Sequence, residues 1–306
     1  MTAPLAHRVA GAPISWGVCE VPGWGHQLAP DLVLRQMREL GLAATEFGPE
    51  GFLPDPPADK AATLASYGLR AVGQFVPVVL HDPGHDPLPE VEAAITGLVA
   101  ADAGTVVVAA ATGTDGYDAR PVLDEAGWSC LLGNLDRISA TASAAGLVAT
   151  LHPHVGTMIE SGEETYRVLE GSGIGLCLDT GHLLIGGGDP VATAARWPDR
   201  IAHVHLKDVR LGLARRVRAG DTTYATAVAD GMYAPLGAGD VDIAAIVRLL
   251  EDSGYAGWYV LEQDTVLRAA PGEAGGADPV DDVRASLAYL LSLAGTPGPP
   301  APAAED

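Results

Sequence analysis

Short apolar segments alternate with amphipathic segments along nearly the whole chain, and this alternation constrains the fold more than any other feature. Apolar runs predict strands, and segments with a period of 3.6 residues predict helices. The predicted strands cover residues 9–17, 42–49, 69–80, 105–112, 147–154, 174–182, 200–208 and 258–264. The predicted helices cover residues 30–40, 57–67, 87–103, 128–146, 163–173, 189–198, 241–254 and 278–295.

Eight strand–helix units predict a parallel sheet that closes into a single-domain (β/α)₈ barrel over residues 1–294. The alternative is a doubly wound open sheet, which usually carries a Gly-x-Gly-x-x-Gly fingerprint after its first strand; residues 16–25 contain none. The Pro-rich segment 295–306 is predicted to be a disordered tail. The long connection over residues 210–240 is predicted to be a loop, of the length that is often a functional lid or disordered.

Charge and cysteine content restrict the partners and the compartment. The chain has 39 acidic and 18 basic residues, a formal charge of −21, which disfavours nucleic acids and anionic membranes as partners. No run of 18 apolar residues exists to span a membrane, and the first 13 residues lack the apolar core of a signal peptide. Three widely spaced cysteines form no disulfide framework, so we expect a reducing, cytoplasmic location.

Polar residues follow the apolar runs at the points where the predicted strands end. In a barrel, the catalytic groups project from these carboxyl ends, so these side chains are the candidate site. They are Trp16, Glu46, His81, His152, His154, Asp179, His182, His205, Lys207, Asp208, Glu262 and Asp264. Six of the nine histidines lie within or just after strands, which is a concentration that favours a common role.

The spacing of these residues favours a metal site. His152 and His154 are two residues apart, as are His203 and His205, and on a strand this spacing puts both side chains on one face. Imidazole and carboxylate together suit a divalent transition metal. A single histidine at a strand end is more often a hydrogen-bonded structural residue. Four strand ends that each offer a ligand type favour the metal.

Several candidates also have a purely structural interpretation. Trp16 could belong to the packed core, Glu46 could cap the following helix, and His182 could brace Asp179 or begin the next helix. Lys207 is different, because the chain has only two lysines among its 18 basic residues and this one lies in the motif His-Val-His-Leu-Lys-Asp. A buried lysine is often retained for its chemistry.

The same motifs resemble a known family. PISWGV (13–18), LHPHVGT (151–157), LDTGHLLIGGGDP (178–190), RIAHVHLKDV (200–209) and YVLEQD (259–264) resemble the xylose-isomerase-like superfamily of sugar isomerases, epimerases and endonuclease IV. Together with segments 45–54 and 235–242, they are most similar to its inosose dehydratase branch. The resemblance covers nearly the whole chain up to the tail and implies a TIM barrel.

By this resemblance, the metal ligands would be His152, Asp179, His205 and Glu262. The resemblance implies a divalent cation, with Mn²⁺ or Co²⁺ expected first and Mg²⁺, Fe²⁺ or Zn²⁺ as alternatives. It implies the elimination of water from inosose (2-keto-myo-inositol) or a similar keto-cyclitol. The wider superfamily usually has a glutamate where this chain has His152. Because its epimerases use two metal-bound glutamates as acid and base, the single remaining Glu262 disfavours epimerisation.

The implied reaction needs a base for the proton next to the ketone and an acid for the departing hydroxyl. The candidates for these two roles, left unassigned, are Glu46, His154, Lys207 and His182. Three further residues are expected to bind the small polyol or keto-sugar substrate: Trp16 as an apolar wall, His81 through a hydroxyl, and Asp208 by holding Lys207.

Three alternatives remain open at this point. The same site could serve a ketose or keto-inositol isomerase or epimerase. The barrel could bind a sugar or a partner protein without catalysis. An abasic-site nuclease is disfavoured by the negative charge. Whether the chain forms a homo-oligomer is left open by the sequence.

Overall fold

The computed structural model describes residues 3–114, 116–273 and 278–294. The strands are β1 (Val9–Gly11), β2 (Ala44–Thr45), β3 (Arg70–Ala71), β4 (Gly73–Val79), β5 (Thr105–Ala111), β6 (Val148–Leu151), β7 (Gly175–Asp179), β8 (Ile201–Leu206), β9 (Asp208–Val209), β10 (Tyr233–Ala234) and β11 (Tyr259–Leu261). The helices are α1 (Pro30–Glu39), α2 (Pro57–Ser66), α3 (Leu88–Ala100), α4 (Glu125–Ala144), α5 (Gly162–Gly171), α6 (Thr180–Ile185), α7 (Pro190–Arg196), α8 (Leu211–Arg218), α9 (Tyr224–Ala229), α10 (Ile243–Asp252) and α11 (Val280–Leu293).

The main sheet closes on itself. Its strand order is β3–β2–β1–β11–β8–β7–β6–β5–β4, and every neighbouring pair is parallel. The strands at the two ends of this order, β3 and β4, are consecutive in the chain and separated only by Val72. They therefore act as one strand with a neighbour on each side, and the sheet is an eight-stranded barrel, as predicted.

The strands are apolar on both faces because one face lines the barrel interior and the other lies under the helices. In β5, Val106, Val107 and Val108 are all fully buried. The helices bury one stripe each; α1 covers the barrel with Val33, Leu34 and Met37. Each large aliphatic side chain buried in this way contributes about 1.5–3 kcal/mol. The result is a barrel of strands surrounded by helices. The polar residues lie at the carboxyl end of its strands.

Several predicted strands end earlier than expected, and two of these ends have a clear local cause. The first ends at Gly11 rather than residue 17, because Pro13 begins a short 3₁₀ helix over Pro13–Trp16. The strand predicted over 174–182 ends at Asp179, whose side chain caps α6. In both places, residues that the sequence predicts in a strand lie instead in turns at the carboxyl end of the barrel.

The prediction of a loop over residues 210–240 is wrong. The segment contains α8 and α9, and β9 pairs with β10 in antiparallel fashion. The Thr223 side chain caps α9 by accepting a hydrogen bond from the Thr226 amide. These elements are too short for a clear periodic signal, which is why the segment resembles a loop in sequence.

No helix within the described ranges is long and apolar enough to cross a bilayer. The predicted tail over 295–306 lies outside the described residues. The domain boundary at residue 294 stays a prediction.

Candidate active site

Four polar side chains meet at the carboxyl ends of four adjacent strands. His152 follows β6, Asp179 ends β7, His205 lies in β8, and Glu262 follows β11. His152 Nε2 is 3.3 Å from Asp179 Oδ2, and His205 Nδ1 is 3.7 Å from that same oxygen and 2.8 Å from Glu262 Oε2. The structure therefore brings together the four ligands that the resemblance implied.

Asp179 divides its two carboxylate oxygens between two tasks. Oδ1 accepts hydrogen bonds from the amides of Gly181 (2.9 Å) and His182 (2.7 Å), which caps the first turn of α6. Oδ2 faces the two imidazoles. A Cβ on Gly181 would lie 2.6 Å from the Cβ of Lys207, so this turn accepts only glycine without a shift of the strand beside it.

The buried polar atoms in this cluster fit a metal ion. His205 Nδ1 and Glu262 Oε2 lie 2.8 Å apart, yet neither makes a hydrogen bond among the described residues. Ligand atoms of Asp179, His205 and Glu262 all lie within 4.8 Å of one another. Unpaired buried polar atoms are costly, and a cation between them would satisfy them. Two imidazoles and two carboxylates are a donor set that divalent transition metals accept.

Charge balance supports the same conclusion. In this part of the barrel, four buried carboxyl groups outnumber one buried ammonium. The groups are Glu46, Asp179, Glu262, Asp264 and Lys207, each less than 10% exposed. Buried charges are stable only when they are paired, so the cluster calls for additional positive charge.

Glu46 holds His205 from behind. Its Oε1 accepts hydrogen bonds from Nε2 of His205 (2.9 Å) and Nε2 of His203 (2.8 Å). Burial would raise the pKa of Glu46, but the two histidines lower it to about 2. Because Nε2 of His205 donates to Glu46, its Nδ1 is the nitrogen that faces Asp179 and Glu262. A carboxylate of this kind fixes the ring of a metal-binding histidine and raises its basicity.

Lys207 lies fully buried beside the cluster. Its Nζ is 2.6 Å from Asp264 Oδ1, 2.8 Å from Glu262 Oε1 and 3.0 Å from His182 Nε2. Burial opposes the ammonium charge, but the carboxylates of Asp264, Glu262 and Asp179 raise the pKa of Lys207 well above its usual value. All three ammonium protons thus have acceptors, and Lys207 is a charged donor rather than a base.

The His154 ring borders the cavity and makes a hydrogen bond through only one of its nitrogens among the described residues. Its Nδ1 is 2.7 Å from the carbonyl oxygen of Val155, to which it must donate. The neutral ring then carries its lone pair on Nε2. Burial, with the charges of His152 and Lys207, lowers the pKa of His154 to about 3, so the ring is neutral.

A cavity of about 920 Å³ opens at this end of the barrel. Its inner wall includes His152, His154, Glu46, Glu262 and Asp264. Lys207 and His182 lie behind that wall. Among the acid–base candidates, only His154 and Glu46 therefore border the space that a substrate would occupy.

Three residues predicted to bind substrate lie elsewhere, which corrects those assignments. The Trp16 side chain is fully buried and donates to Gln36 Oε1 (2.8 Å), because the 3₁₀ turn directs it toward α1. His81 does not line the cavity, and the carbonyl just before it, that of Leu80, is bonded to Asn134 in α4.

Asp208 likewise does not hold Lys207. Its carboxylate accepts hydrogen bonds from the amides of Val209, Gly237, Gly239 and Val241, so it joins the two ends of the segment that follows β8. Asp264 holds the ammonium instead. The sequence places Asp264 among the polar residues at strand ends, but its spacing does not predict the contact with Lys207.

Two site residues escaped sequence reasoning altogether. Tyr224 and Tyr233 are buried against Asp264 and His182, and both come from the segment that was expected to be a loop. The sequence signal that could have found them is a pair of tyrosines in a connection that is otherwise mostly small and polar.

Comparison with known sequences agrees with this geometry. The profile of the xylose isomerase-like TIM barrel family matches residues 34–293. The inosose dehydratase of Geobacillus kaustophilus (strain HTA426) is 33% identical over 270 residues, covering 84% of this chain and 87% of that protein. The rhizopine catabolism protein MocC of Rhizobium meliloti is 34% identical over 271 residues, covering 85% of this chain and 82% of that protein.

Solved structures share the fold at low identity. The IOLI protein with a bound zinc atom superposes with a TM-score of 0.68 at 14% identity, covering 94% of this chain and 98% of that chain. The probable 3-DHS dehydratase AsbF of Bacillus anthracis superposes with a TM-score of 0.66 at 15% identity, covering 93% and 98%. The profile match and the two curated relatives establish that the chain belongs to the xylose isomerase-like TIM barrel family.

Proposed function

We propose that the protein is a metal-dependent dehydratase that eliminates water from inosose or a similar keto-cyclitol. The observation that carries the proposal is the cluster of His152, Asp179, His205 and Glu262 at the inner end of a cavity that His154 also borders. The curated relatives named inosose dehydratase, 28–33% identical over more than four fifths of the chain, supply the substrate class.

The four clustered side chains would hold the metal, with His205 binding through Nδ1. A bound divalent ion supplies Lewis-acid polarisation of the substrate ketone, which acidifies the neighbouring C–H. The mixed nitrogen and oxygen donors suit Mn²⁺ or Co²⁺ and also accept Fe²⁺, Zn²⁺ or Mg²⁺.

His154 is the group we assign to proton abstraction. It borders the cavity, it is neutral, and its Nδ1 donates to Val155, so Nε2 can accept the proton. Lys207 is saturated with acceptors, and Glu46 is committed to two histidine rings. These contacts leave His154 as the candidate with a free acceptor at the cavity.

Asp264 and Lys207 are the pair we assign to the departing hydroxyl. Asp264 borders the cavity and accepts a hydrogen bond from the buried ammonium. A proton donated by the protonated form of Asp264, with the Lys207 ammonium beside it, would let the hydroxyl leave as water, while His154 keeps the proton taken from carbon. Burial favours the protonated form of Asp264 and raises its pKa, against the charge of Lys207.

The alternative reaction, epimerisation, needs a second carboxylate base across the substrate. This chain offers the imidazole of His152 at that position, already in contact with Asp179. Elimination therefore fits the residues present better than a two-base exchange.

The test is a product analysis. The protein is stripped with a chelator, reloaded with Mn²⁺ or Co²⁺, and incubated with 2-keto-myo-inositol. The proposal expects a product that has lost one water and absorbs in the ultraviolet, and no such product from His205→Ala. A product of unchanged mass would establish an isomerase or epimerase. No conversion across a panel of keto-inositols and ketoses would favour a binding protein without catalysis.

A further inference from the structure

The segment between β9 and α10 packs behind the residues that line the active-site cavity. The Asp208 carboxylate joins its two ends by accepting amide hydrogen bonds from Val209 at the start and from Gly237, Gly239 and Val241 at the finish. In the middle, the Tyr224 amide donates to Asp118 Oδ1 over 2.9 Å. These contacts fix the segment against the barrel.

The segment carries two tyrosine hydroxyls to the back of the active site. Tyr224 and Tyr233 are 1% and 3% exposed, and their hydroxyl oxygens lie 2.8 Å apart. The Tyr224 hydroxyl donates to Asp264 Oδ2 over 2.5 Å, and the Tyr233 hydroxyl lies 3.5 Å from Nδ1 of His182. Neither tyrosine lines the cavity, so neither is expected to touch a substrate.

These contacts close a ring of hydrogen-bonding groups. Lys207 Nζ contacts Asp264 Oδ1 on one side and His182 Nε2 on the other. Asp264 leads through Tyr224 and Tyr233 back to His182. The buried ammonium therefore belongs to a ring of five groups, two of which, Tyr224 and Tyr233, come from the segment between β9 and α10.

We propose that Tyr224 and Tyr233 are positioning residues that fix the Asp264 carboxylate, and through it the Lys207 ammonium, for the reaction. This inference rests on the proposed function for its kinetic consequence. It goes beyond that function because it assigns a role to a segment with no metal ligand.

The hydroxyl, rather than the ring, carries the proposed role. Tyr224→Phe keeps the aromatic packing against Tyr117 but removes the donor to Asp264 Oδ2. The carboxylate then turns to regain a donor, and the ammonium bonded to its other oxygen moves with it. A small misplacement of a reacting group can reduce the rate about 100-fold without weakening substrate binding.

The low lysine content of the chain allows a direct measurement. Only Lys60 and Lys207 occur, so lysine-selective ¹⁵N labelling gives at most two Nζ signals, and Lys60→Arg identifies the buried one. In the protein loaded with diamagnetic Zn²⁺, we expect Tyr224→Phe and Tyr233→Phe to shift or broaden the Lys207 Nζ signal. The matched control Tyr166→Phe removes a hydroxyl bonded to Thr193 between α5 and α7 and is expected to leave the signal unchanged.

Kinetic measurements distinguish a positioning role of the tyrosines from a folding defect of the variants. With 2-keto-myo-inositol, we expect kcat to fall about 10- to 100-fold in Tyr224→Phe. We expect KM and metal content to stay within about twofold of wild type. The melting temperature should stay within a few degrees of wild type. An unchanged Nζ signal, or a loss of kcat fully explained by a lower folded fraction, would overturn the inference. If wild type dehydrates no cyclitol while the Nζ signal still responds, the proposed function fails and the positioning role stands.

Discussion

Glu46 Oε1 accepts a hydrogen bond from His205 Nε2 over 2.9 Å, and this contact leaves the other ring nitrogen of His205 to face Asp179 and Glu262. The same oxygen also accepts from His203, so two histidines on one strand share one carboxylate. From this contact we expect Glu46 to influence the affinity of the site for metal.

Glu46→Gln is therefore expected to weaken metal binding. The amide keeps the shape but loses the charge that orients the ring, so the dissociation constant should rise about 10- to 100-fold. Competition with a chromophoric chelator measures this change. Glu39→Gln, at an exposed position of α1, serves as the control and should bind metal like wild type. Equal metal affinities for the two variants would contradict a role of Glu46 in metal binding.

Metal removal should lower the stability of the folded protein. At a metal concentration of about 100 times the dissociation constant, binding adds about 2.7 kcal/mol to the free energy of unfolding. We expect added Mn²⁺ or Co²⁺ to raise the melting temperature of wild type and of His26→Ala, whose histidine is exposed. The melting temperature of His205→Ala should not respond. A full response in His205→Ala would contradict the proposed ligand set.

His154→Gln should separate chemistry from metal binding. Loss of the base is expected to reduce kcat about 10²- to 10⁴-fold, because general-base catalysis contributes that much. Metal content should be unchanged, since His154 Nδ1 is bonded to the Val155 carbonyl and not to the cluster. Exchange of the substrate α-proton with deuterated solvent reports on the same step. Exchange at the wild-type rate in His154→Gln would assign the base elsewhere.

Asp208→Asn should loosen the segment between β9 and α10. The amide loses the charge that attracts four backbone N–H groups, and its nitrogen cannot accept them. Limited trypsin digestion should then cleave the variant faster than wild type at the adjacent arginines Arg215 and Arg216 in α8. Mass spectrometry of the fragments locates the cut. Resistance equal to that of wild type would show that Asp208 does not fix the segment.

Substitution of Arg8 measures how much this residue contributes to the stability of the barrel at the end away from the site. Its buried guanidinium contacts both Glu251 oxygens (2.6 and 2.7 Å) and the carbonyl oxygens of Tyr255 and Gly257. Arg8→Met should lower the free energy of unfolding by about 1–3 kcal/mol, since Glu251 stays partly exposed. Chemical denaturation measures the loss, with Arg284→Met on the exposed face of α11 as the control. The metal affinity of both variants should equal that of wild type.

The barrel could be predicted because its signal is repetitive and local. Apolar runs such as Val106–Val108 have no solvated face, and only a parallel sheet covered on both sides accommodates eight of them. The convergence of His152, Asp179, His205 and Glu262 follows from the same regularity, because their strands are adjacent and all four lie at the same end.

The rest of the site depends on contacts that have no local signal. Nothing in the sequence around Glu46 indicates that it would accept from two histidines 157 and 159 residues later in the chain. Trp16 precedes a left-handed glycine, Gly17, and a single turn decides whether its ring faces the cavity or α1. Tyr224 and Tyr233 reach Asp264 only through the tertiary course of their segment.

The carboxylate of Asp179 serves two structures at once. One oxygen caps the first turn of α6 and the other faces the rings of His152 and His205, so binding a cation there and docking α6 would not be independent. His182, on the first turn of that helix, would register a change of metal occupancy as a displacement of its own ring. Substitution of Asp179 would thus cost the enzyme its ion and its local architecture together, and no neighbouring carboxylate could restore both.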